Sequence, residues 1–245
     1  MTSTLDVNAK EFIFMSDVGV SPTSSTTSST TSLDVNAKEF ITNSTSQFPP
    51  MLYHADDLVY EILEKSSPND YYIKGGKAFH YYYPAYSGFD YVPTTDFDLV
   101  ATNDFCSGLF EEINKIALGN WIQFEQADPV LVDKITISDE SWVDTVRHGK
   151  QKSKTKHRVK TLLINDIGFI DVIITEKINK TELYKSECGI SYMNQELFRK
   201  DLKQVYEDRR QKMMAKGWEK RPELYEKIKQ KHDKSLLRYH IAYSL

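Results

Sequence analysis

Thr94-Thr95-Asp96-Phe97-Asp98-Leu99-Val100 sets two carboxylates two positions apart in an apolar run. On a strand, side chains at i and i+2 leave by the same face. Asp96 and Asp98 are therefore expected side by side, with Phe97 and Leu99 pointing into the layer behind. Adjacent carboxylates repel, which raises the cost of ionising both. A divalent cation between them relieves that cost, and hard oxygen ligands suit magnesium. Just upstream, Ile73-Lys74-Gly75-Gly76-Lys77-Ala78-Phe79 carries a glycine pair that lets backbone approach a phosphate closely.

Outward from this stretch the pattern alternates between strand and helix. Leu52, Ala55, Leu58, Val59, Ile62 and Leu63 recur at helical spacing, and Ser66-Ser67-Pro68-Asn69-Asp70 ends that helix. Tyr71-Tyr72-Ile73-Lys74 reads as a short strand that Gly75-Gly76 turns into a helix beginning at Lys77-Ala78-Phe79. Free N–H groups and the positive dipole end of such a helix favour phosphate. A strand is expected over 95–101 and an amphipathic helix over Phe105 to Ala117. Trp121 to Phe124 and Leu131 to Ile137 are β-prone. Val159 to Ile164 and Phe169 to Thr175 form a hairpin about Asn165-Asp166-Ile167-Gly168. From Asn194 onward the chain reads mainly as helix.

Within the second hairpin strand, Asp171 interrupts Phe169-Ile170-Asp171-Val172-Ile173-Ile174. An unpaired carboxylate buried in such a run costs several kcal/mol, on the order of its desolvation, so this charge needs a reason. Asp144 and Asp166 are alternatives for a third acidic ligand, in less apolar surroundings. Lys74 and Lys77 read equally well as phosphate contacts or as solvated surface lysines. Tyr81-Tyr82-Tyr83 suits core packing better than base stacking.

The order strand, glycine pair, helix, Asp-x-Asp strand, later strand with one Asp resembles the nucleotidyltransferase superfamily of DNA polymerase beta and the poly(A) polymerases. The resemblance covers about Tyr71 to Thr175. It is strongest toward compact branches with a Lys-Gly-Gly start, such as viral poly(A) polymerase catalytic domains and AbiEii-type enzymes. It implies an α+β fold, a mixed sheet with flanking helices, followed by a helical region. It also implies that Asp96, Asp98 and Asp171 are the catalytic carboxylates and hold two magnesium ions, or manganese. Asp171 would serve the metal that activates the attacking hydroxyl. Gly75 and Gly76 would hold a nucleoside triphosphate and Lys77 would supply charge to it. Thr95 stands where a small hydroxyl residue commonly precedes the first carboxylate. Many members have Gly-Ser where this chain has Gly-Gly.

Residues 1–50 differ in kind. Ser21 to Ser32 is almost entirely Ser and Thr, which cannot bury enough apolar surface to offset ordering entropy. On either side lies the same nonapeptide, Leu5-Asp6-Val7-Asn8-Ala9-Lys10-Glu11-Phe12-Ile13 and Leu33-Asp34-Val35-Asn36-Ala37-Lys38-Glu39-Phe40-Ile41. Two copies are too few for a solenoid, but a linear motif displayed twice gains avidity through effective concentration. The repeat resembles the motif that binds the MLLE domain of cytoplasmic poly(A)-binding protein. That likeness implies that Phe12 and Phe40 fill an aromatic pocket and that Leu5 and Leu33 fill a second one. Ala9 and Ala37 would lie where space is short, and Glu11 and Glu39 complete the Glu-Phe pair. Phe14 and Thr42 stand where that family often has Pro.

The 245 residues, with net charge −4 and 40% hydrophobic content, fit one domain plus a tail. The expected organisation is a disordered tail over 1–50, a nucleotidyltransferase domain over 51–180 and a C-terminal helical region over 181–245. No apolar run reaches the roughly 20 residues of a membrane helix, and no secretory signal pattern is present. Cys106 and Cys188 lack metal-ligand spacing, which fits reduced thiols in a cytoplasmic protein, of the host cytoplasm if the source is a virus. Basic residues outnumber acidic ones by about two to one from Arg199 to Arg238, and a second basic run covers Arg147 to Lys160. The expected activity is transfer of a nucleoside monophosphate from a triphosphate to an acceptor hydroxyl, with an RNA 3′ end as the natural acceptor. The alternatives are a non-catalytic adaptor binding RNA and poly(A)-binding protein, and nucleotidyl transfer to a protein or small molecule.

Overall fold

Strand–turn–helix units dominate the chain and assemble into a mixed α+β fold. The computed structural model describes residues 38–41, 49–86, 94, 96–125, 127–145, 154–214 and 221–244. Thr95, the tail positions Leu5, Ala9, Glu11, Phe12, Leu33 and Ala37, and residues 147–153 of the basic run lie outside the described residues. The elements in order are β1 (Lys38–Ile41), β2 (Leu52–His54), α1 (Ala55–Glu64), β3 (Tyr71–Lys74), α2 (Gly75–Tyr82), β4 (Phe97–Thr102), α3 (Asn103–Ala117), β5 (Trp121–Gln123) and β6 (Val130–Leu131). They continue with β7 (Lys134–Thr145), β8 (Lys154–Ile164), β9 (Ile167–Thr175), β10 (Leu183–Lys185), β11 (Ser191–Met193), α4 (Gln195–Met213) and α5 (Pro222–Ser244).

Eight strands form the main sheet in the order β1-β7-β8-β9-β4-β3-β11-β10, and β2-β5-β6 form a small second sheet. The pairs β4–β9 and β11–β3 are parallel and the other main-sheet neighbours are antiparallel. Tight local chemistry sets the registers. Asn165 and Asp166 take positive φ, 49° and 66°, the primed turn that matches strand twist. The turn is therefore two residues long, with Ile164 facing Ile167, and Ile167-Gly168 belongs to β9 rather than to the loop. Helix α3 starts one residue after Thr102, whose hydroxyl accepts from the Phe105 amide, and α4 starts after Asn194, whose side chain accepts from the Glu196 amide.

Alternation along β4 puts Phe97, Leu99 and Ala101 into the core, where all three are fully buried. The Phe97 ring meets Phe169 of β9 edge-on, at 6.1 Å between centroids. Leu109, Phe110 and Ile113 of α3 join the same core, as their helical spacing predicts. The tyrosine trio is packing. Tyr81 stacks on Tyr192 at 3.9 Å, the Tyr82 hydroxyl donates to the Met193 carbonyl at 2.6 Å, and Tyr83 lies against Phe79. The predicted first helix begins later than its periodicity implies, because Leu52–His54 pair with β5 before α1 starts.

Inside the stretch assigned to the tail, Lys38–Ile41 forms β1, antiparallel to β7 with Phe40 opposite Ile135. An open sheet edge accepts any compatible extended segment through its unpaired N–H and C=O groups. Among the described residues no helix is long and apolar enough to cross a membrane.

Candidate metal and nucleotide site

Sheet register builds the site. Asp98 on β4 lies directly opposite Asp171 on the parallel neighbour β9. On the other side of β4, Lys74 of β3 is the register partner of Asp98, and beyond Asp171 stands Thr161 of β8. Thr161, Asp171, Asp98 and Lys74 thus form one row across four strands. The Thr161 hydroxyl donates to Asp171 Oδ1 at 2.6 Å, which fixes that carboxylate. Asp96 sits in the bend just before β4, not on the strand, and is exposed. It reaches the row because buried Thr94 donates to its Oδ1 at 3.2 Å.

One carboxylate oxygen from each of Asp96, Asp98 and Asp171 lies within 4.8 Å of the others. Three hard, anionic ligands at this spacing fit a hard divalent cation, and no soft ligand shares the cluster. The third acid is the one marked by its apolar strand. Asp166 instead occupies the β8–β9 turn, where it pairs with Lys134 at 3.4 Å.

The glycine pair stands against these carboxylates. Gly75 opens α2 with φ +62°, and a Cβ there would overlap Asp98 Oδ2 and come within 2.8 Å of its Cγ. A Cβ on Gly76 would overlap the Thr94 hydroxyl and lie 2.8 Å from Arg238 Nη2. The pair is thus required by close packing of α2 on the acidic row. Lys74, at the N-cap, makes no side-chain cap bond, so no side chain occupies the first-turn amides from that position.

Lys77 does not join the site. Only 2% exposed, it turns to the opposite face, ion-paired with Asp56 of α1 and 5.0 Å above the Phe97 ring. Asp56 answers its charge, and the alternation that buries Phe97 puts Lys77 on the core side while Asp98 faces away. The predicted contact between Lys77 and a nucleotide is therefore replaced by a structural role.

Cations of the basic C-terminal helices lie on the Asp98 side instead. A cavity of about 340 Å³ runs from Lys74, Gly75 and Asp98 to the inner faces of α4 and α5. Arg238 of α5 enters it, with its guanidinium carbon 5.6 Å from the Phe79 ring. Burial lowers Arg238 to about 10, Asp98 opposing that shift and Arg209 reinforcing it. Lys234, one turn earlier on α5, falls to about 8, chiefly through burial and then through the charge of Arg238. The hint in the sequence is slight: Arg238 follows Leu236-Leu237 and precedes the buried Ile241 and Ala242.

Burial pushes the Asp98 carboxyl up to about 6, with Lys74 pulling the other way and Asp96 and Asp171 adding to the rise. A carboxyl raised in the folded state contributes stability that is complete below its unfolded value and is lost as pH climbs through the folded one. Metal-free protein is therefore expected to lose stability between about pH 4 and pH 6–7 from this group. Magnesium should offset the loss. Calorimetric melting with and without Mg²⁺ should show a larger rise in Tm at pH 7 than at pH 5, and an equal rise at both would contradict the assignment.

No family model matches the sequence, and no curated protein does. Among solved structures, the chain is similar to the crystal structure of the Megavirus polyadenylate synthase. The TM-score is 0.46 at 13% identity, over 77% of this chain and 31% of that one. The match thus spans under a third of that protein's length.

Proposed function

We propose that this chain is a metal-dependent nucleotidyltransferase that adds a nucleoside monophosphate, drawn from a triphosphate, to an acceptor hydroxyl. The observation that carries the reading is the register of Asp98 on Asp171 across parallel strands, with Asp96 beside them and the glycine-opened start of α2 in contact with Asp98. Magnesium bound there, as two ions, would lower the pKa of an acceptor hydroxyl and neutralise charge on leaving pyrophosphate. The protein's own groups do the positioning. Thr161 orients Asp171, Thr94 orients Asp96, and Lys74 sets a positive charge beside Asp98. The first amides of α2 face phosphate oxygens.

An RNA 3′ end is the acceptor that best accords with the tail, whose repeated nonapeptide would hold the enzyme on poly(A)-binding protein in the cytoplasm. Oligo(A), Mg²⁺ and each labelled triphosphate in turn should give extension with at least one nucleotide. Absence of extension with every triphosphate, at protein concentrations that bind the oligonucleotide, would reject the reading.

The tail assignment has its own test. Residues of the second copy lie in β1, so an MLLE domain must first peel Lys38–Ile41 from β7. A free peptide of residues 33–41 should therefore bind an isolated MLLE domain more tightly than does a chain lacking residues 5–13. The gap should be about 1–2 kcal/mol for a short edge ladder. Phe40→Ala should abolish binding of both, and calorimetry showing no change on that substitution would end the assignment.

A further inference from the structure

We propose that the cavity between the start of α2 and the α4–α5 pair is a polyphosphate site, with Arg238 as its central donor and Arg209, Lys212 and Lys231 as its walls. The catalytic reading above supplies only the ligand's fuller identity, the triphosphate tail of a nucleoside triphosphate; the anion site itself rests on the following geometry.

Five cations line the cavity, Lys74, Arg209, Lys212, Lys231 and Arg238. Three carboxylates share it, Asp98, Asp201 and Asp208. Of these, Asp98 belongs to the acidic triad, and Asp208 accepts from Gln204 at 2.9 Å. Five cations against three carboxylates leave the lining net positive.

Arg238 is the decisive group. Its Nε and Nη2 are buried and have no hydrogen-bond partner. A buried donor left unsatisfied costs about 1–3 kcal/mol, and more when charged, so such groups are rarely left idle. The guanidinium is held beside the Phe79 ring, which fixes its plane without using its donors. Its fork matches two oxygens of a phosphate. Arg209 is braced in turn. Its Nη1 donates to the Lys231 carbonyl at 2.6 Å and to the Ser235 hydroxyl, tying α4 to α5. Arg209 is therefore a built part of the wall, while Lys212 and Lys231 stand at its exposed rim.

Size and position select a polyphosphate over a single phosphate. About 340 Å³ lies at the lower end of small-ligand pockets, roughly 300–1,000 Å³. The cations are spread over β3, α4 and α5, and Asp98 shares the lining with them. A chain of phosphates can reach cations on several of these elements at once, which a single phosphate cannot.

The test is calorimetric titration of the full chain with inorganic tripolyphosphate, in EDTA and in Mg²⁺. The wild-type chain should bind, and Arg238→Gln should weaken binding by about tenfold or more, the loss of a charge-assisted bond. Lys212→Gln with Lys231→Gln, both exposed positions, should weaken it several-fold without disturbing the fold. This pair carries the test if Arg238→Gln melts abnormally. Asp98→Asn should tighten binding in EDTA by removing a negative charge from the wall. No binding by the wild-type chain, or equal binding by all variants, would overturn the proposal. Displacement of tripolyphosphate by an oligoribonucleotide lacking a 5′-triphosphate would also overturn it, by assigning the cavity to a nucleic-acid backbone. Tripolyphosphate binding requires no chemistry, so intact binding without nucleotidyl transfer would sink the catalytic reading and leave this site standing.

Discussion

Asp98→Asn is expected to lower nucleotide incorporation by about a thousandfold, roughly 4 kcal/mol of transition-state stabilisation, while making the metal-free chain more stable at neutral pH. The two effects share one cause. Asp98 is the central acid of the row, flanked by Asp171 on one side and Lys74 on the other. Burial and two neighbouring carboxylates hold its proton up to about 6. Keeping it ionised at pH 7 is therefore an expense of folding that a metal bound there would recover. Asn removes the expense and the metal ligand together. Lys74 and Arg238 lose an opposing charge in the exchange, so the net gain should be near 1 kcal/mol. Asp96→Asn separates the effects. Asp96 is exposed in the bend before β4, so its loss should cost similar activity with no gain in stability. Initial rates of extension, paired with melting curves in EDTA and in Mg²⁺, read both quantities. If Asp98→Asn left the rate within tenfold of wild type, these carboxylates would not be the metal site.

How much of this was readable from the residues depends on the range of the interaction. Asp98 and Asp171 were legible because a charge inside an apolar strand has few neutral explanations, and the strands formed where they were expected. Placing Asp98 opposite Asp171 was not legible: register between strands this far apart in sequence is fixed by the whole sheet. Asp96 illustrates a boundary error, since Thr94 and the bend, not strand alternation, bring it to the row. The glycine pair was legible as a place of close approach, but what approaches first is protein, Asp98 and Thr94.

The places of Lys77, which the resemblance puts on the nucleotide, and of Arg238, which the sequence shows only as the end of a basic stretch, were hidden for one reason. Both are cations on helices, and local pattern does not show which will find a counter-ion. Lys77 lies 21 positions from Asp56, its ion-pair partner, so proximity to Gly76 in sequence misled. Arg238 lies among basic residues that do face solvent, and only the packing of Ile241 and Ala242 turns its face inward. Strand β1 was missed because a four-residue segment has no pattern of its own; the open edge of β7 creates it.

Gly75→Ala and Gly76→Ala should fail differently, and the contrast tests whether the glycines serve the site or only the fold. At Gly75, φ is +62°, a conformation that costs an alanine about 1–2 kcal/mol. The new methyl also meets Asp98 Oδ2 and Cγ, the far end of a side chain that can swing aside. The fold should survive with a loss of about 2 kcal/mol, but Asp98 can yield only by moving out of the acidic row. Activity should therefore fall by about a hundredfold or more, and higher Mg²⁺ should restore part of it. At Gly76 the backbone is unstrained, yet the methyl lies 2.6 Å from Thr94 Cβ. That atom is anchored to buried backbone and cannot rotate away. Here the expected result is a loss of about 3 kcal/mol from overpacking, with no rescue by Mg²⁺. A double-mutant cycle closes the case. Asp98→Ala removes the atoms that Gly75→Ala strikes, so the pair should be less destabilised than the sum of the singles by about 1 kcal/mol or more. Gly76→Ala combined with Asp98→Ala should be closer to additive, since the two sites share only the Arg238 guanidinium. Additivity in both pairs would mean that Gly75 does not bear on Asp98, and the glycine turn would lose its place in the site.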